Sequence, residues 1–182
     1  YIQGAGELSN LGSYVLEFAN KALLIASNAD FNRVRNSLDE AQKKNAFELI
    51  HGDFNEECTK KEIDRMKSLL IENRCKLVIG LGGGKALDTA KAVSHLANTP
   101  VIIIPTIAAT DAPTSKLAII YTDEGMFQEY FHLDNNPDLV LVDTDVIAKA
   151  PVRFLVSGMG DALATYFEAR SCQRSGALNM AG

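Results

Sequence analysis

Apolar residues along the chain alternate between short continuous runs and longer stretches of helical spacing. The continuous runs predict strands at 21–27, 47–53, 76–81, 101–105, 117–122 and 138–143. Helical stretches are expected near 33–44 and at 59–74 and 86–97. Because the strand candidates are apolar throughout rather than at every second position, they are typical of a parallel sheet buried on both faces.

The helix expected at 59–74 carries a start signal and a helical stripe. Thr59 and Glu62 have the spacing of a capping box, in which each side chain bonds the backbone N–H of the other residue. Ile63, Met66 and Leu70 follow on one helical face.

The order of these elements predicts two structural units. Residues 1–149 are interpreted as an α/β domain with a doubly wound, mainly parallel, Rossmann-like sheet. From residue 150 the pattern becomes helical and no further strand is expected up to residue 182. We therefore expect 150–182 to begin a second, all-helical domain that the chain leaves incomplete.

Composition and charge narrow the class of protein. With 182 residues, 47% hydrophobic and 23% charged, the chain is ordinary for a globular protein, and its net charge of −5 argues against a nucleic-acid surface. No apolar run approaches the roughly 20 residues of a membrane span. Three cysteines without a C-x-x-C pair favour a reducing compartment, the cytoplasm or the mitochondrial matrix. The first residue is Tyr1 and both ends look cut, so a removed targeting segment is compatible with the sequence.

The most distinctive stretch is VIGLGGGKALDTAK at 78–91, where glycines join a strand to a helix. Ligands of open α/β sheets bind at the carboxyl ends of strands, and a helix N-terminus there suits a phosphate group. Gly82, Gly83 and Gly84 would let a pyrophosphate approach the backbone, and Lys85 adds a positive charge. Neither G-x-x-x-x-G-K-[ST] nor G-x-G-x-x-G fits, so a close strand-to-helix turn without a ligand remains the alternative.

Three acidic residues near these turns each have two interpretations. Asp88, one turn into the helix, either complements the helix dipole or bonds a ribose or nicotinamide amide. Asp111 is the only acid of the polar loop 106–115, which is either a simple connector or the second wall of a cleft. If the loop lines a cleft, Asp111 would bind a hydroxyl group of a polyol. Gly158 and Gly160 are expected to bracket a turn, and Asp161 is expected to cap the helix that follows it. The alternative is that the Asp161 carboxylate binds a metal ion such as zinc. The three histidines lack metal-ligand spacing.

Four segments together resemble the iron-type, metal-dependent alcohol dehydrogenase family, and within it the enzymes that oxidise glycerol. They are GLGGGKALDTAK, PTIAATDAPTSKLAIIYTDEG, NPDLVLVDTDVIAKAPVRFLVSGMGDALATYFEAR and SGALNMAG. The likeness runs from about Leu77 to Gly182, and GAGELSNLGSYV near the start is similar to the opening of family members. It implies a dehydroquinate-synthase-like fold: an NAD-binding α/β domain, then a helical domain, with zinc and substrate between them.

The resemblance also assigns residues. It implies a pyrophosphate and dinucleotide loop of Gly82, Gly83, Gly84, Lys85 and Asp88, and a nicotinamide and ribose lining of Thr106, Thr110, Ser115, Leu117 and Tyr121. Asp111 would bind glycerol, and Asp161 would be the first zinc ligand, in place of the cap that spacing favours. Two further histidine ligands would lie beyond Gly182. Ser27 stands where the family carries an acid for the adenosine ribose, so the choice between NAD and NADP stays open.

The implied function is the NAD-dependent oxidation of glycerol to dihydroxyacetone, with hydride transfer from a zinc-bound alkoxide and a homo-oligomeric protein. Asp111 and Asp161 would be its catalytic residues. Glycerol-1-phosphate dehydrogenase, another polyol dehydrogenase or, more distantly, dehydroquinate synthase are the rival enzymes. The first needs cations for the substrate phosphate, whereas the TDAPTS loop offers an acid. A nucleotide-binding module without turnover is the alternative outside the enzymes.

Overall fold

Six parallel strands form the central sheet of a computed structural model that describes residues 1–178. The described residues form eight strands, six in this sheet and two in a separate hairpin: β1 (Ile2–Gly4), β2 (Lys21–Ala26), β3 (Glu48–Asp53), β4 (Leu77–Gly82), β5 (Val101–Pro105), β6 (Leu117–Tyr121), β7 (Phe127–His132) and β8 (Leu139–Asp143). The sheet order is β1-β8-β5-β4-β2-β3, every pair parallel. This confirms the doubly wound α/β prediction.

Helices cover both faces of the sheet. After a 3-10 helix at Glu7–Asn10 they are α1 (Leu11–Phe18), α2 (Asn28–Lys44), α3 (Lys60–Glu72), α4 (Gly84–Ala97), α5 (Thr144–Ala148) and α6 (Val152–Ser175). No helix within residues 1–178 combines the length and apolarity that crossing a membrane requires. The end of the SGALNMAG segment, residues 179–182, lies outside the described residues.

Two apolar cores lie on opposite faces of the sheet, as continuous apolar strands require. Along β2, Leu23 and Ile25 belong to the core under α3 and α4, whereas Leu24 and Ala26 belong to the core under α1 and α2. Ile63, Met66 and Leu70 of α3 are buried in the first of these cores, as their helical stripe predicts. Gly80 lets α4 approach β4 closely, because a Cβ there would lie 2.6 Å from the Cβ of Ala90.

The strand predicted at 117–122 exists, but its place in the parallel sheet was wrong. β6 pairs antiparallel with β7 as a separate two-stranded hairpin. Along β6 only Ala118 and Ile120 are fully buried, so the strand has one covered face and one half-exposed face. β7 is mostly exposed and was not predicted, and neither was the three-residue β1.

The helices differ from the sequence prediction in three places. α2 begins at Asn28, earlier than expected, because the Ser27 hydroxyl accepts the N–H of Asp30. At α3 half of the capping box forms: Thr59 Oγ1 accepts the N–H of Glu62, while Glu62 accepts from Asn55. α6 runs through both Gly158 and Gly160 without a turn.

Candidate functional site

The two loops singled out in the sequence begin side by side at the carboxyl edge of the sheet. β4 and β5 are neighbours, with Gly82 in register with Pro105. The N–H of Thr106 donates to the carbonyl of Gly82 over 3.0 Å, which ties the first residue of one loop to the other. The two loops therefore begin next to each other, as a cleft between them requires.

Glycine is required at the turn from β4 to α4. Gly82 has a φ of +147°, a conformation that residues with a Cβ rarely adopt. A Cβ on Gly83 would lie 3.2 Å from Cδ1 of Ile107 on the second loop. The glycines thus combine an unusual backbone with a close approach of the two loops.

Helix α4 begins without a side-chain cap. Its N-cap is Gly83, and no side chain accepts the first N–H groups. The starts of α2, α3 and α5 differ, because Ser27, Thr59 and Asp143 accept N–H groups there. The starts of α1 and α6 also lack a side-chain cap, but the uncapped amide groups of α4 lie at the carboxyl edge of the sheet beside the second loop, which is the arrangement that binds a phosphate.

A cleft of about 280 Å³ lies between the start of α4, the second loop and β6. It brings together six residues that the sequence selected. These are Gly83, Gly84, Lys85, Asp88, Thr110 and Tyr121. The other selected dinucleotide residues, Gly82, Thr106, Ser115 and Leu117, lie outside this lining.

Lys85 stands at the side of this cleft, paired with a carboxylate that the sequence did not single out. Its Nζ lies 2.6 Å from Oε2 of Glu57 and 5.4 Å from the centre of the Tyr121 ring. Glu57 belongs to the loop before α3, and the hairpin is attached there because the N–H of Tyr121 donates to the carbonyl of Cys58. A pair 28 residues apart has no local sequence signal.

The carboxylate of Asp88 is buried and faces protein groups on both oxygens. Oδ1 lies 2.9 Å from Nζ of Lys91, and Oδ2 accepts the N–H of Ile119 over 3.0 Å. Burial raises the pKa of Asp88, and the Lys91 ammonium acts in the opposite direction. Neither contact was among the alternatives weighed from the sequence.

The position of Asp161 excludes the helix-cap interpretation. Asp161 lies well inside α6, whose N-cap is Pro151. Its Oδ2 accepts the backbone N–H of Asp111 over 3.2 Å, which brings the two candidate acids together. The exposed Asp111 also lines a neighbouring cavity of about 330 Å³, which shares Thr110 with the first cleft.

Gly158 permits this contact between α6 and the loop. A Cβ on Gly158 would lie 2.2 Å from the carbonyl oxygen of Ala108, far inside van der Waals contact. Only a glycine lets the helix pass so close to the loop backbone, one turn before Asp161. The glycine that suggested a turn in the sequence is instead a packing residue.

The possible metal ligands among residues 1–178 do not gather into one site. Within residues 1–178 no group of three His, Cys, Asp or Glu side chains could hold a metal ion. His51 Nε2 lies 2.9 Å from the carbonyl oxygen of Ala26, and His95 packs against Phe131. Asp161 is therefore not part of a complete metal site within residues 1–178.

In the first turn of α2, which follows β2, Asp30 supplies a carboxylate next to Ser27. Oδ2 of Asp30 accepts the Ser27 hydroxyl over 3.0 Å, and Oδ1 accepts the Thr106 hydroxyl over 3.3 Å. Arg33 lies 3.3 Å from the same carboxylate. A negative charge is thus retained close to the glycine turn although Ser27 itself is neutral.

Comparison with protein-family models gives a match to iron-containing alcohol dehydrogenase over residues 1–144. Among individual proteins, the chain is 46% identical to a glycerol dehydrogenase of Escherichia coli O6:H1 over 182 residues, all of this chain and 50% of the relative. It is 47% identical over 184 residues to a glycerol dehydrogenase of Thermotoga maritima, again all of this chain and 50% of the relative. The chain spans about half the length of these curated relatives.

A solved structure shows the same arrangement of the chain. The glycerol dehydrogenase of Schizosaccharomyces pombe superimposes with a TM-score of 0.87 at 40% identity. The superposition covers 96% of this chain and 44% of that protein. The α/β fold is therefore shared by both proteins.

Proposed function

The chain belongs to the iron-containing alcohol dehydrogenase family, and from this premise we propose that it supplies the dinucleotide-binding part of an NAD-dependent polyol dehydrogenase. Glycerol is the proposed substrate and dihydroxyacetone the product. The observation that carries this proposal is the start of α4, where Gly83 leaves the N–H groups uncapped at the side of a cleft.

The residues of the cleft fit a dinucleotide. Backbone N–H groups at Gly84 and Lys85 would donate to the pyrophosphate, where the helix dipole also favours negative charge. A side chain on Gly83 would fill the space toward Ile107. NAD, when bound there, supplies the hydride acceptor, and Thr110 and Tyr121 would line its nicotinamide end.

Asp111 and Asp161 form the proposed polyol end of the site. The Asp111 carboxylate would accept a hydroxyl of the polyol and orient the carbon that loses hydride. The backbone N–H of Asp111 holds one oxygen of Asp161, so the loop and α6 keep the two acids adjacent. Both acids are exposed, and a polyol must displace water from them.

Asp161 is the proposed contribution of this chain to a metal site. A carboxylate suits either zinc or iron, and the sequence resemblance favours zinc while the family carries iron in its name. When bound, a divalent metal supplies Lewis-acid chemistry to an alcohol oxygen. Its remaining ligands would come from residues other than 1–178.

The helical second domain is proposed from the exposed apolar face of α6. Val152, Met159 and Leu163 are 73%, 65% and 61% exposed, which is unusual for large apolar side chains on one helix. A helical domain starting at residue 150 would cover them. We also propose a homo-oligomer and a reducing compartment, the latter in keeping with the free thiols of Cys58, Cys75 and Cys172.

A dehydrogenase of phosphorylated polyols is the second candidate, and the charges of the site disfavour it. The polyol end offers Asp111 and Asp161, whereas a substrate phosphate requires cationic side chains. Lys85, the cation among the residues that line the cleft, is paired with Glu57. A glycerol phosphate would therefore meet net negative charge.

Calorimetric titration with NAD and NADP, run beside assays of the full-length enzyme with glycerol and glycerol 1-phosphate, tests the proposal. We expect NAD to bind and glycerol to be the better substrate. Binding without turnover would favour the nucleotide-binding module, and a preference for the phosphate would favour the second candidate. Absence of any dinucleotide binding would overturn the cofactor assignment itself.

A further inference from the structure

Lys91 is the most deeply buried charged side chain of α4, and the function proposed above leaves it without a role. Its side chain is 1% exposed and lies outside the lining of the dinucleotide cleft. A buried ammonium is costly unless its three donors are met by protein oxygens. The contacts of Lys91 therefore explain why a lysine stands there.

Three of those contacts are to backbone carbonyls of residues 112–117, and the others are to Oγ of Ser115 over 3.3 Å and to Asp88. Nζ of Lys91 donates to the carbonyls of Ala112 over 2.8 Å and Ser115 over 3.3 Å, and also to the carbonyl of Leu117. Lys91 also forms an ion pair with Asp88, which lies one turn earlier on the same helix. Three carbonyl groups that converge on one point would lose their charged donor if the ammonium were absent, and only long contacts of 3.5 and 3.4 Å from the Ser115 hydroxyl would remain to the carbonyls of Ala112 and Leu117.

Asp88 completes the connection from α4 to the hairpin. Its second oxygen accepts the N–H of Ile119, two residues beyond the last carbonyl that Lys91 binds. Residues 112–119 are thus tied to α4 at four backbone groups by two adjacent side chains. Ala112, Pro113 and Ile119 from that segment form one wall of the cleft, and the start of α4 forms the other.

We propose that Lys91 is a positioning residue that holds the wall formed by residues 112–119 at a set distance from the glycine turn, and so controls dinucleotide affinity without touching the ligand. This rests on the proposed dinucleotide site. Lys91 acts through the loop, in contrast to Lys85, whose ammonium lies beside the cleft.

The first experiment measures hydrogen exchange of peptides covering 112–119 without any nucleotide. We compare Lys91→Met, Asp88→Asn and the double variant. Asn at 88 can still accept the N–H of Ile119, and the double variant removes the unpaired buried carboxylate that Lys91→Met leaves behind. We expect exchange of the segment to rise by roughly tenfold or more in Lys91→Met and in the double variant, since three carbonyls lose a charged donor.

A control variant separates positioning from general stability. Leu38→Ala removes a buried side chain of α2 on the opposite face of the sheet, so it lowers stability without touching the loop. We expect it to leave NAD affinity unchanged, whereas Lys91→Met and the double variant weaken NAD binding by roughly tenfold. Equal loss of affinity in Leu38→Ala would overturn the positioning role.

The double variant decides between two roles of Lys91. If the lysine served only as the counter-ion of Asp88, the double variant would regain the loop protection of the unaltered protein, and the proposal would be wrong. Failure of the unaltered protein to bind NAD would overturn the proposed function instead. Hydrogen exchange of 112–119 would then still decide whether Lys91 holds this wall.

Discussion

The backbone N–H of Asp111 lies 3.2 Å from Oδ2 of Asp161 and donates a hydrogen bond to it across 50 residues of sequence. This bond joins the second loop of the cleft to α6, and it places the two candidate acids of the polyol end next to each other. One oxygen of Asp161 is used by the loop, so a ligand or metal at this position meets a carboxylate that is already oriented.

Replacement of Asp161 by Asn tests its role as a metal ligand. Asn keeps an oxygen for the N–H of Asp111 but loses the charge, so we expect loss of bound metal and of activity in the full enzyme with the fold retained. Elemental analysis by mass spectrometry measures the metal and distinguishes zinc from iron. Glu168→Gln, an exposed acid on the same helix, is the control. Normal metal content in Asp161→Asn would count against the role.

The two glycines of α6 predict opposite effects of alanine. In Gly158→Ala the new Cβ would collide with the carbonyl of Ala108, and we expect a loss of about 1–3 kcal/mol in unfolding free energy together with reduced polyol turnover. Nothing lies within 4 Å of a Cβ on Gly160, so Gly160→Ala should be neutral or stabilising by up to about 1 kcal/mol. Urea unfolding measures both. Equal stability of the two variants would contradict the packing role of Gly158.

The pair of Lys85 and Glu57 predicts how charge controls dinucleotide affinity. Lys85→Met should weaken NAD binding by about tenfold, and Glu57→Gln should tighten it severalfold, because the carboxylate competes with phosphate for the ammonium. Calorimetry at low and high salt measures both effects, which we expect to shrink as salt increases. The control is Glu129→Gln on the hairpin, which breaks an exposed ion pair with Lys60 of α3 and should leave NAD affinity unchanged. Weaker NAD binding in Glu57→Gln would contradict competition.

Tyr14 predicts a pH effect far from the cleft. Its hydroxyl donates to Glu7, and this bond raises the pKa of Tyr14 to about 12. Because the folded-state pKa is raised, the stability that it contributes is fully present below the ordinary tyrosine pKa near 10 and is lost as the pH rises through about 12. Tyrosinate absorbance should show one late titration that moves to lower pH in Glu7→Gln. An unchanged titration in that variant would show that Glu7 is not the cause.

The three cysteines should react in a fixed order with a thiol reagent. Burial raises the pKa of Cys58 to about 12 and also raises the pKa of Cys75, whereas Cys172 on α6 is partly exposed. In the native protein we expect rapid labelling of Cys172 alone, with the other two labelled only on unfolding. Mass spectrometry of labelled peptides measures the order, and fast labelling of Cys58 would show that its core opens readily.

Local patterns were enough to predict the sheet and the glycine turn. The runs that became β2, β4 and β5 are apolar at every position because each strand is covered by helices on both faces. The glycines at 82–84 had a local reason that the sequence displays, since they lie between a strand and a helix.

Features that depend on long-range contacts were not predictable from local sequence. The run at 117–122 resembles a core strand, but Lys91 and Asp88 hold it against α4, away from the sheet. Gly158 and Gly160 suggested a turn, because the carbonyl of Ala108 that requires Gly158 lies fifty residues earlier. Glu57 was missed for the same reason, as its partner is distant in the chain.

The contact between Gly158 and Ala108 has a consequence for motion. Helix backbone meets loop carbonyl with no intervening side chain whose rotamer could absorb a displacement. A tilt of α6 would then press on the loop, and through the loop on the wall of the proposed dinucleotide cleft. Closure around a polyol at one end would thereby be transmitted mechanically to the cofactor at the other.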